Sequence, residues 1–324
     1  MKKLMIISPH NPFLRSNGGE NRVYLITKEL SKHNKIVLVC PAGKCGKESY
    51  KAYQPFEDKA KNKALNFKLL NKLRKIIKRE KPDEIQLEFP WQGLNLILLG
   101  KRYILDEHNV EFLRFKRTGS RIWPIVYLYE LLACKFAKKI VCVSETDKKY
   151  LIKYFRLNPN KIEIIENPVD TSIFYPNTKN NKKVRKELGL KKDEKFVLFF
   201  GQLDYYPNVE AIEIIKKNIL PELEKKKAKY KLVICGKGNG KGSLKNFKHK
   251  NLIFKGFVDK IQDYINASDI VITPLKSGSG TRIKILEALA CEKKVLSTSI
   301  GAEGINKNKF LELEDDWEKF AGRI

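Results

Sequence analysis

Long apolar runs are missing from this 324-residue sequence, and so is any cysteine spacing that makes a metal or redox site. No stretch approaches the ~18 uninterrupted apolar residues of a membrane span. The apolar opening from Leu4 to Ile7 meets Ser8-Pro9-His10 too early for a signal peptide. The chain is therefore expected to be soluble, unexported and cytoplasmic. Cys40, Cys45, Cys134, Cys142, Cys235 and Cys291 show neither a Cys-x-x-Cys pair nor a Cys/His pattern, so they read as reduced core residues. Acidic residues are scarce, 37 against 65 basic ones. Glu314-Asp315-Asp316 reads as the acidic start of a helix and not as a metal-binding Asp-x-Asp cluster, so no metal is expected.

The resulting net charge of +28 on its own suggests nucleic acid or an anionic membrane. The excess is spread along the chain together with abundant Lys, Asn and Ile, as A/T-biased codons would produce. There is no basic arm, no RNA-binding aromatic signature and no zinc knuckle, so no specific nucleic acid is expected. Attraction to an anionic membrane stays open, because each basic residue near such a surface contributes about 1 kcal/mol.

What is present is a repeated alternation of short apolar runs with helical patterns. In the first half, 3–8, 35–40, 84–87, 102–105, 139–143 and 161–165 read as buried strands. Val23, Ile26, Thr27 and Leu30 form a helix pattern entered through Asn17-Gly18-Gly19. Leu65, Leu69, Leu73, Ile76 and Ile77 share the face of another, ending before Pro82. In the second half the runs are 196–200, 231–235, 252–254, 269–272 and 294–297. The length suits two domains, placed at 1–168 and 195–324. A linker over 169–194 is expected, where prolines, asparagines and lysines break the periodicity. Both halves read as Rossmann-like, doubly wound parallel sheets, whose ligands sit outside the carboxyl ends of the strands.

The segment from Pro274 to Ala290 carries the most chemistry. Its loop holds Ser277, Gly278, Ser279 and Gly280 and runs into a helix that opens with Arg282 and Lys284. Free N–H groups and the positive dipole end of a helix favour an anion, glycines let the backbone approach it, and the two cations complete a diphosphate cradle. Glu287, further into the same helix, suits sugar hydroxyls. A solvated face with a weak Lys284–Glu287 ion pair is the alternative for the segment taken alone.

Several motifs surround it: Gly201-Gln-Leu-Asp-Tyr-Tyr-Pro-Asn-Val209, Gly256-Phe-Val-Asp259, Ala267-Ser-Asp269, Gly280-Thr-Arg-Ile-Lys-Ile-Leu-Glu-Ala-Leu-Ala290 and Ser297-Thr-Ser-Ile-Gly-Ala-Glu-Gly304. In order and spacing they resemble the C-terminal lobe of retaining GT-B glycosyltransferases, family 4. The N-terminal half is similar more loosely, through Gly18-Gly19, Asp106-Glu-His-Asn-Val-Glu111, Val143-Ser144 and Asn167-Pro-Val-Asp170.

The resemblance implies two lobes facing across a cleft and the transfer, with retention and without a metal, of a sugar from a nucleotide diphosphate sugar to a saccharide or lipid-linked saccharide. It implies no cofactor beyond that donor. By position, Glu287 would hold the ribose, Gly18 and Gly19 would lie beside the diphosphate, and His108 would approach the reacting sugar. Phe257 and Val258 would flank the base, and Gly201, Gln202, Ser279, Gly280 and Thr281 would line the donor.

Two departures stand out. The first glutamate of the family motif falls at Ser279, and the usual basic pair after Phe200 is replaced by Gln202, Leu203 and Asp204, leaving its role to Arg282 and Lys284. The family also runs on past Glu303-Gly304 through more helices than Ile324 allows, so a truncated end with weakened lobe closure is expected. A sugar-nucleotide epimerase or a catalytically weakened donor-binding subunit would share the fold. A basic nucleic-acid-binding protein would explain the charge but not the ordered motifs.

His108 is expected exposed on a loop after a strand, with no second histidine to make a metal site. His10, near Gly18, is a weaker pocket residue. Gly236-Lys-Gly-Asn-Gly-Lys-Gly242 mimics a dinucleotide fingerprint but has no acidic ribose partner at the right distance, and it reads as a mobile loop.

Overall fold

The computed structural model describes residues 1–15, 17–43, 46, 50–57, 65–242 and 247–324. Cys45 lies outside them. Cys40, Cys134, Cys142, Cys235 and Cys291 are buried free thiols. Among the described residues no helix is long and apolar enough to cross a membrane. The chain divides into two units, Met1–Pro168 and Val169–Ile324.

The first unit is built on a seven-stranded sheet. Its strands are β1 (Lys2–Ile7), β2 (Asn34–Pro41), β3 (Lys51–Phe56), β4 (Glu84–Glu88), β5 (Ile104–Glu107), β6 (Lys139–Cys142) and β7 (Ile162–Ile164). They lie in the order β3-β2-β1-β4-β5-β6-β7, and every neighbouring pair is parallel. Met5, Ile6 and Ile7 are wholly buried, as strands covered on both faces require.

The second unit has six strands: β8 (Lys195–Phe200), β9 (Tyr230–Cys235), β10 (Leu252–Gly256), β11 (Ile270–Thr273), β12 (Lys294–Ser297) and β13 (Leu311–Leu313). Their order is β10-β9-β8-β11-β12-β13, again parallel throughout. The expected fold of each half, a Rossmann-like doubly wound parallel sheet, is the one observed.

Eleven of these strands follow the apolar runs of the sequence. β3 and β13 do not, and both are edge strands: Lys-Ala-Tyr-Gln-Pro-Phe carries a proline, and Leu-Glu-Leu is only partly buried. Edge position alone does not hide a strand, since β7 and β10 also end their sheets and follow apolar runs; in β3 and β13 a proline and the polar or charged residues of a wet side break the run.

Helix limits are set by capping. Asn17 accepts from the N–H of Glu20 at 3.0 Å to start Gly18–Leu30. Asn66 accepts from Lys68 and Leu69 to start Phe67–Glu80, and Lys81 ends it in the left-handed conformation. Leu65 precedes that helix and is exposed, so it does not share the buried face that Leu69, Leu73, Ile76 and Ile77 form. Within 169–194, Asn181–Glu187 is a helix. Val184 and Leu188, spaced i, i+4, bury one side of it against Phe196 and Ile265. Asp316 caps Trp317–Arg323 by accepting from Lys319, which confirms the acidic cluster as a helix start.

The strand order turns at β1/β4 in the first unit and at β8/β11 in the second. Chains leave two adjacent strand ends in opposite directions there and open a recess at the carboxyl edge.

Candidate functional site

In the second unit, the loops after β8 and β11 flank the turning point. Gly278 and Gly280 have φ of +106° and +75°, a region that side chains with a Cβ rarely enter. A Cβ on Gly278 would also lie 2.9 Å from a guanidinium nitrogen of Arg282. Arg282 folds back to donate to the carbonyls of Ser279 and Gly280. It is the N-cap residue of the helix Ile283–Ala290, and no side chain caps that helix. Through Nη1 its guanidinium holds the loop that precedes the helix.

Lys284 is the cation that points at the turning point. Its Nζ donates to Asn208 Oδ1 at 2.7 Å and lies 4.7 Å from the centroid of the Phe199 ring. A Cβ on Gly201 would come within 2.9 Å of that nitrogen. Asn208 Nδ2 donates to the Gln202 carbonyl at 2.7 Å, so Gly201, Gln202, Asn208 and Lys284 form one joined group.

Burial, helped by nearby Arg282, pushes the Lys284 ammonium down to about 7. Burial pushes the Glu287 carboxyl up to about 7, with Lys284 opposing the rise. A lysine stripped of solvation in this way is primed for an anion.

Asp204 stands where the family pattern has a base. It accepts from the N–H groups of Asn239 and Lys241 at 3.2 and 3.1 Å, and a Cβ on Gly238 would overlap its carboxylate. The glycine run Gly236–Gly242, expected to be mobile, is tied to the loop after β8 by this side chain. Phe257 and Val258 follow β10: the Phe257 ring is 68% exposed, while Val258 packs on the core. Ser279, Gly280 and Thr281 lie in the loop beside Lys284's helix.

In the first unit, the turning point gathers a different set. His108 follows β5 directly and is buried, contrary to the exposed loop position expected. Its Nε2 lies 2.7 Å from Glu88 Oε2 at the end of β4, and its ring packs on Phe89 with centroids 3.9 Å apart and planes tilted by 34°. Gln86 donates to the other Glu88 oxygen at 2.7 Å. Burial pushes Glu88 up to about 7 and His108 down to about 3, so burial works against the charged form of each partner.

Phe89 also meets His10 edge-on at 5.3 Å, and a Cβ on Gly19 would lie 3.1 Å from its ring. Gly19 is thus small because the helix start seats against Phe89. Arg22, wholly buried, holds both Asp106 oxygens at 2.9 and 3.2 Å and reaches the Glu166 carbonyl and Asn167.

Glu88, Asp106 and His108 bring ligand atoms within 4.8 Å of one another, a grouping the sequence did not suggest. The Arg22 guanidinium already fills the Asp106 face, and a second cation there would be repelled. Sequence reasoning missed Arg22, Glu88, Phe89 and Asn208. Only the position of Phe89 after a strand and before Pro90 offered a local signal.

The profile described as Glycosyltransferase Family 4 matches residues 16–173, and that of Glycosyl transferases group 1 matches 194–324. Together they span most of the chain. The chain belongs to this glycosyltransferase family. It is 28% identical over 272 residues to the UDP-Gal:alpha-D-GlcNAc-diphosphoundecaprenol alpha-1,3-galactosyltransferase of Escherichia coli, covering 77% of this chain and 67% of that relative. An uncharacterized 44.6 kDa protein in the cps region of Klebsiella pneumoniae is 25% identical, with 95% and 86% covered. Among solved structures, HepE of Anabaena in complex with UDP has a TM-score of 0.73 at 15% identity, covering 100% of this chain and 88% of that one. Sucrose-phosphate synthase of Thermosynechococcus elongatus has a TM-score of 0.76 at 14% identity, with 93% and 82% covered. At such identities the two structures speak for the fold of this glycosyltransferase.

Proposed function

We propose that this glycosyltransferase takes a hexose from a nucleoside diphosphate sugar and passes it, with retention of configuration, to a saccharide or lipid-linked saccharide in cell-surface polysaccharide assembly. The observation that carries the proposal is the joined group at the β8/β11 turning point. There the uncapped start of the helix Ile283–Ala290 and a desolvated Lys284, which a bound diphosphate recharges, offer positive charge beside glycines. Charge builds on the diphosphate as the glycosidic bond breaks. An ammonium and a helix dipole already in place stabilise it without reorganisation and without a divalent ion.

Glu287, on the same helix, serves the ribose hydroxyls, and His108 serves the reacting sugar. The named relatives favour this reading: the Escherichia coli enzyme uses UDP-galactose and a diphosphoundecaprenol-linked acceptor, and HepE was solved with UDP-glucose. The test incubates the protein with UDP-, GDP- and ADP-hexoses and a diphosphoprenol-linked saccharide, with and without EDTA, and reads the product's anomeric configuration by NMR. An inverted product, or turnover abolished by EDTA, would refute the corresponding part.

A second reading is favoured by one observation. Ser279 stands at the place of the first motif glutamate, so one contact to the donor sugar that the family pattern implies is absent, which suits a weakened donor-binding subunit. Donor binding without turnover in that assay would select it.

A further inference from the structure

On the first unit, at the amino-terminal edge of the sheet, a cavity of about 580 Å³ is lined by Arg74, Ile77, Lys78, Lys81, Pro82, Ile85, Leu98, Leu99 and Lys101. Its floor is apolar and its rim carries four cations and no acid. The nearby acids are engaged elsewhere: Glu80 with Lys51 and Tyr53, Asp83 with the N–H of Lys3, Glu84 with Lys138. Among the described residues no ion pair involves the four rim cations.

Leu98, 57% exposed, ends the helix Gly93–Leu98, which packs closely on the helix Trp123–Phe136. A Cβ on Gly93 would lie 2.8 Å from that of Ala133. The neighbouring helix has its polarity inverted. Val126, Glu130, Ala133 and Cys134 face inward, while Ile125, Leu128, Leu132 and Phe136 are 68%, 59%, 43% and 46% exposed. Those four recur at helical spacing and continue the exposed Ile122. Between Phe112 and Lys139 there are seven basic residues and one acidic residue, Glu130, and Glu130 is buried. A row of large apolar side chains exposed on one helix, with Arg121 before it and Lys135 beside Phe136, is a surface patch that calls for a cover.

We propose that this face rests on an anionic bilayer, with the cavity taking the phosphate headgroup of a lipid and the stripe from Ile122 to Phe136 bedding among its acyl chains. The occupant is set by charge. Four cations around an apolar floor match a phosphate joined to a hydrocarbon, and a second copy of this face would bring like charge against like. The inference concerns a face away from the strand ends that hold the donor chemistry, and it stands independently of the proposed reaction.

The test is co-sedimentation of the full chain with vesicles of phosphatidylcholine alone or mixed with phosphatidylglycerol, at physiological ionic strength. Binding to the mixed vesicles only is expected. Lys78→Glu with Lys81→Glu, and separately Leu128→Ser with Leu132→Ser, should each weaken it by about tenfold or more. Lys182→Glu with Lys183→Glu, the same charge change on the second unit, should leave it within about twofold. Equal loss in that control pair would show mere net-charge attraction and overturn the proposal. Displacement by millimolar inorganic phosphate would make the cavity a free-anion site and overturn the lipid assignment. A dimer dispersed by the leucine pair, with vesicle binding unchanged, would assign the stripe to a second copy.

Discussion

Lys284 reaches from its helix to the Oδ1 of Asn208 at 2.7 Å, which ties the loop after β8 to the helix after β11 across the point where the strand order turns. Lys284 faces Gly201 there, and burial, with Arg282 nearby, pushes its ammonium down to about 7.

Lys284→Ala should therefore weaken a nucleoside diphosphate by about 1.5–3 kcal/mol, the range for a hydrogen bond to a charged group. The bare nucleoside should be much less affected. Calorimetry with UDP and uridine checks this, and equal losses would assign Lys284 to folding. Gly201→Ala should act in the same direction, because its methyl would displace the ammonium.

Binding should also take up a proton. At pH 7.5 a lysine that titrates near 7 is mostly neutral, and an adjacent diphosphate raises its pKa and recharges it. In a Glu287→Gln background, which removes the other group titrating there, UDP binding measured in two buffers of different ionisation enthalpy should report uptake of a large fraction of a proton. Proton release, or none, would contradict the assignment.

Glu287 and His108 should separate kinetically. A ribose contact made equally in substrate and transition state affects the donor KM, so Glu287→Ala should raise KM. A contact that tightens as the sugar leaves affects kcat. His108→Ala that left kcat within about threefold, some 0.65 kcal/mol, would return His108 to a purely structural role.

The Glu88–His108 pair should appear in stability against pH. Glu88, raised to about 7, holds a proton that the unfolded chain releases above its ordinary pKa, so its contribution is full at low pH and lost as pH rises through 7. His108, lowered to about 3, lacks a proton that the unfolded chain holds below its ordinary pKa, so its contribution is present above pH 6.5 and lost toward 3. The two slopes oppose each other in the native protein. Glu88→Gln should leave a Tm that climbs with pH between about 3 and 6.5, and His108→Gln one that falls between about 4.5 and 7. Parallel profiles in the two variants would contradict the opposite burial shifts of Glu88 and His108.

Sequence legibility tracked burial and locality. The central strands were readable because both faces are covered, and the helix starts because Asn17, Asn66 and Asp316 each carry their own cap. The Ser/Gly loop before the helix Ile283–Ala290 was readable because Gly278, Gly280 and the helix start are contiguous. Arg22–Asp106 and Glu88–His108 join residues 84 and 20 positions apart, through registers that only the folded sheet sets. Asp204 illustrates another limit: its value lies in the N–H groups of a distant glycine loop, and a count of charges around the donor made it look merely misplaced.

Phe89 has the last consequence. It sits at φ +62° with ψ 161°, a region almost reserved for glycine, where a side chain costs on the order of 1–3 kcal/mol. Its ring is pressed between the start of the Gly18–Leu30 helix and His108. Glycine at 89 would relax the backbone and leave the histidine without its wall. Removing that buried ring would cost about 3–5 kcal/mol, more than the strain it relieves, so the strained backbone is kept in place by the same packing that fixes the imidazole.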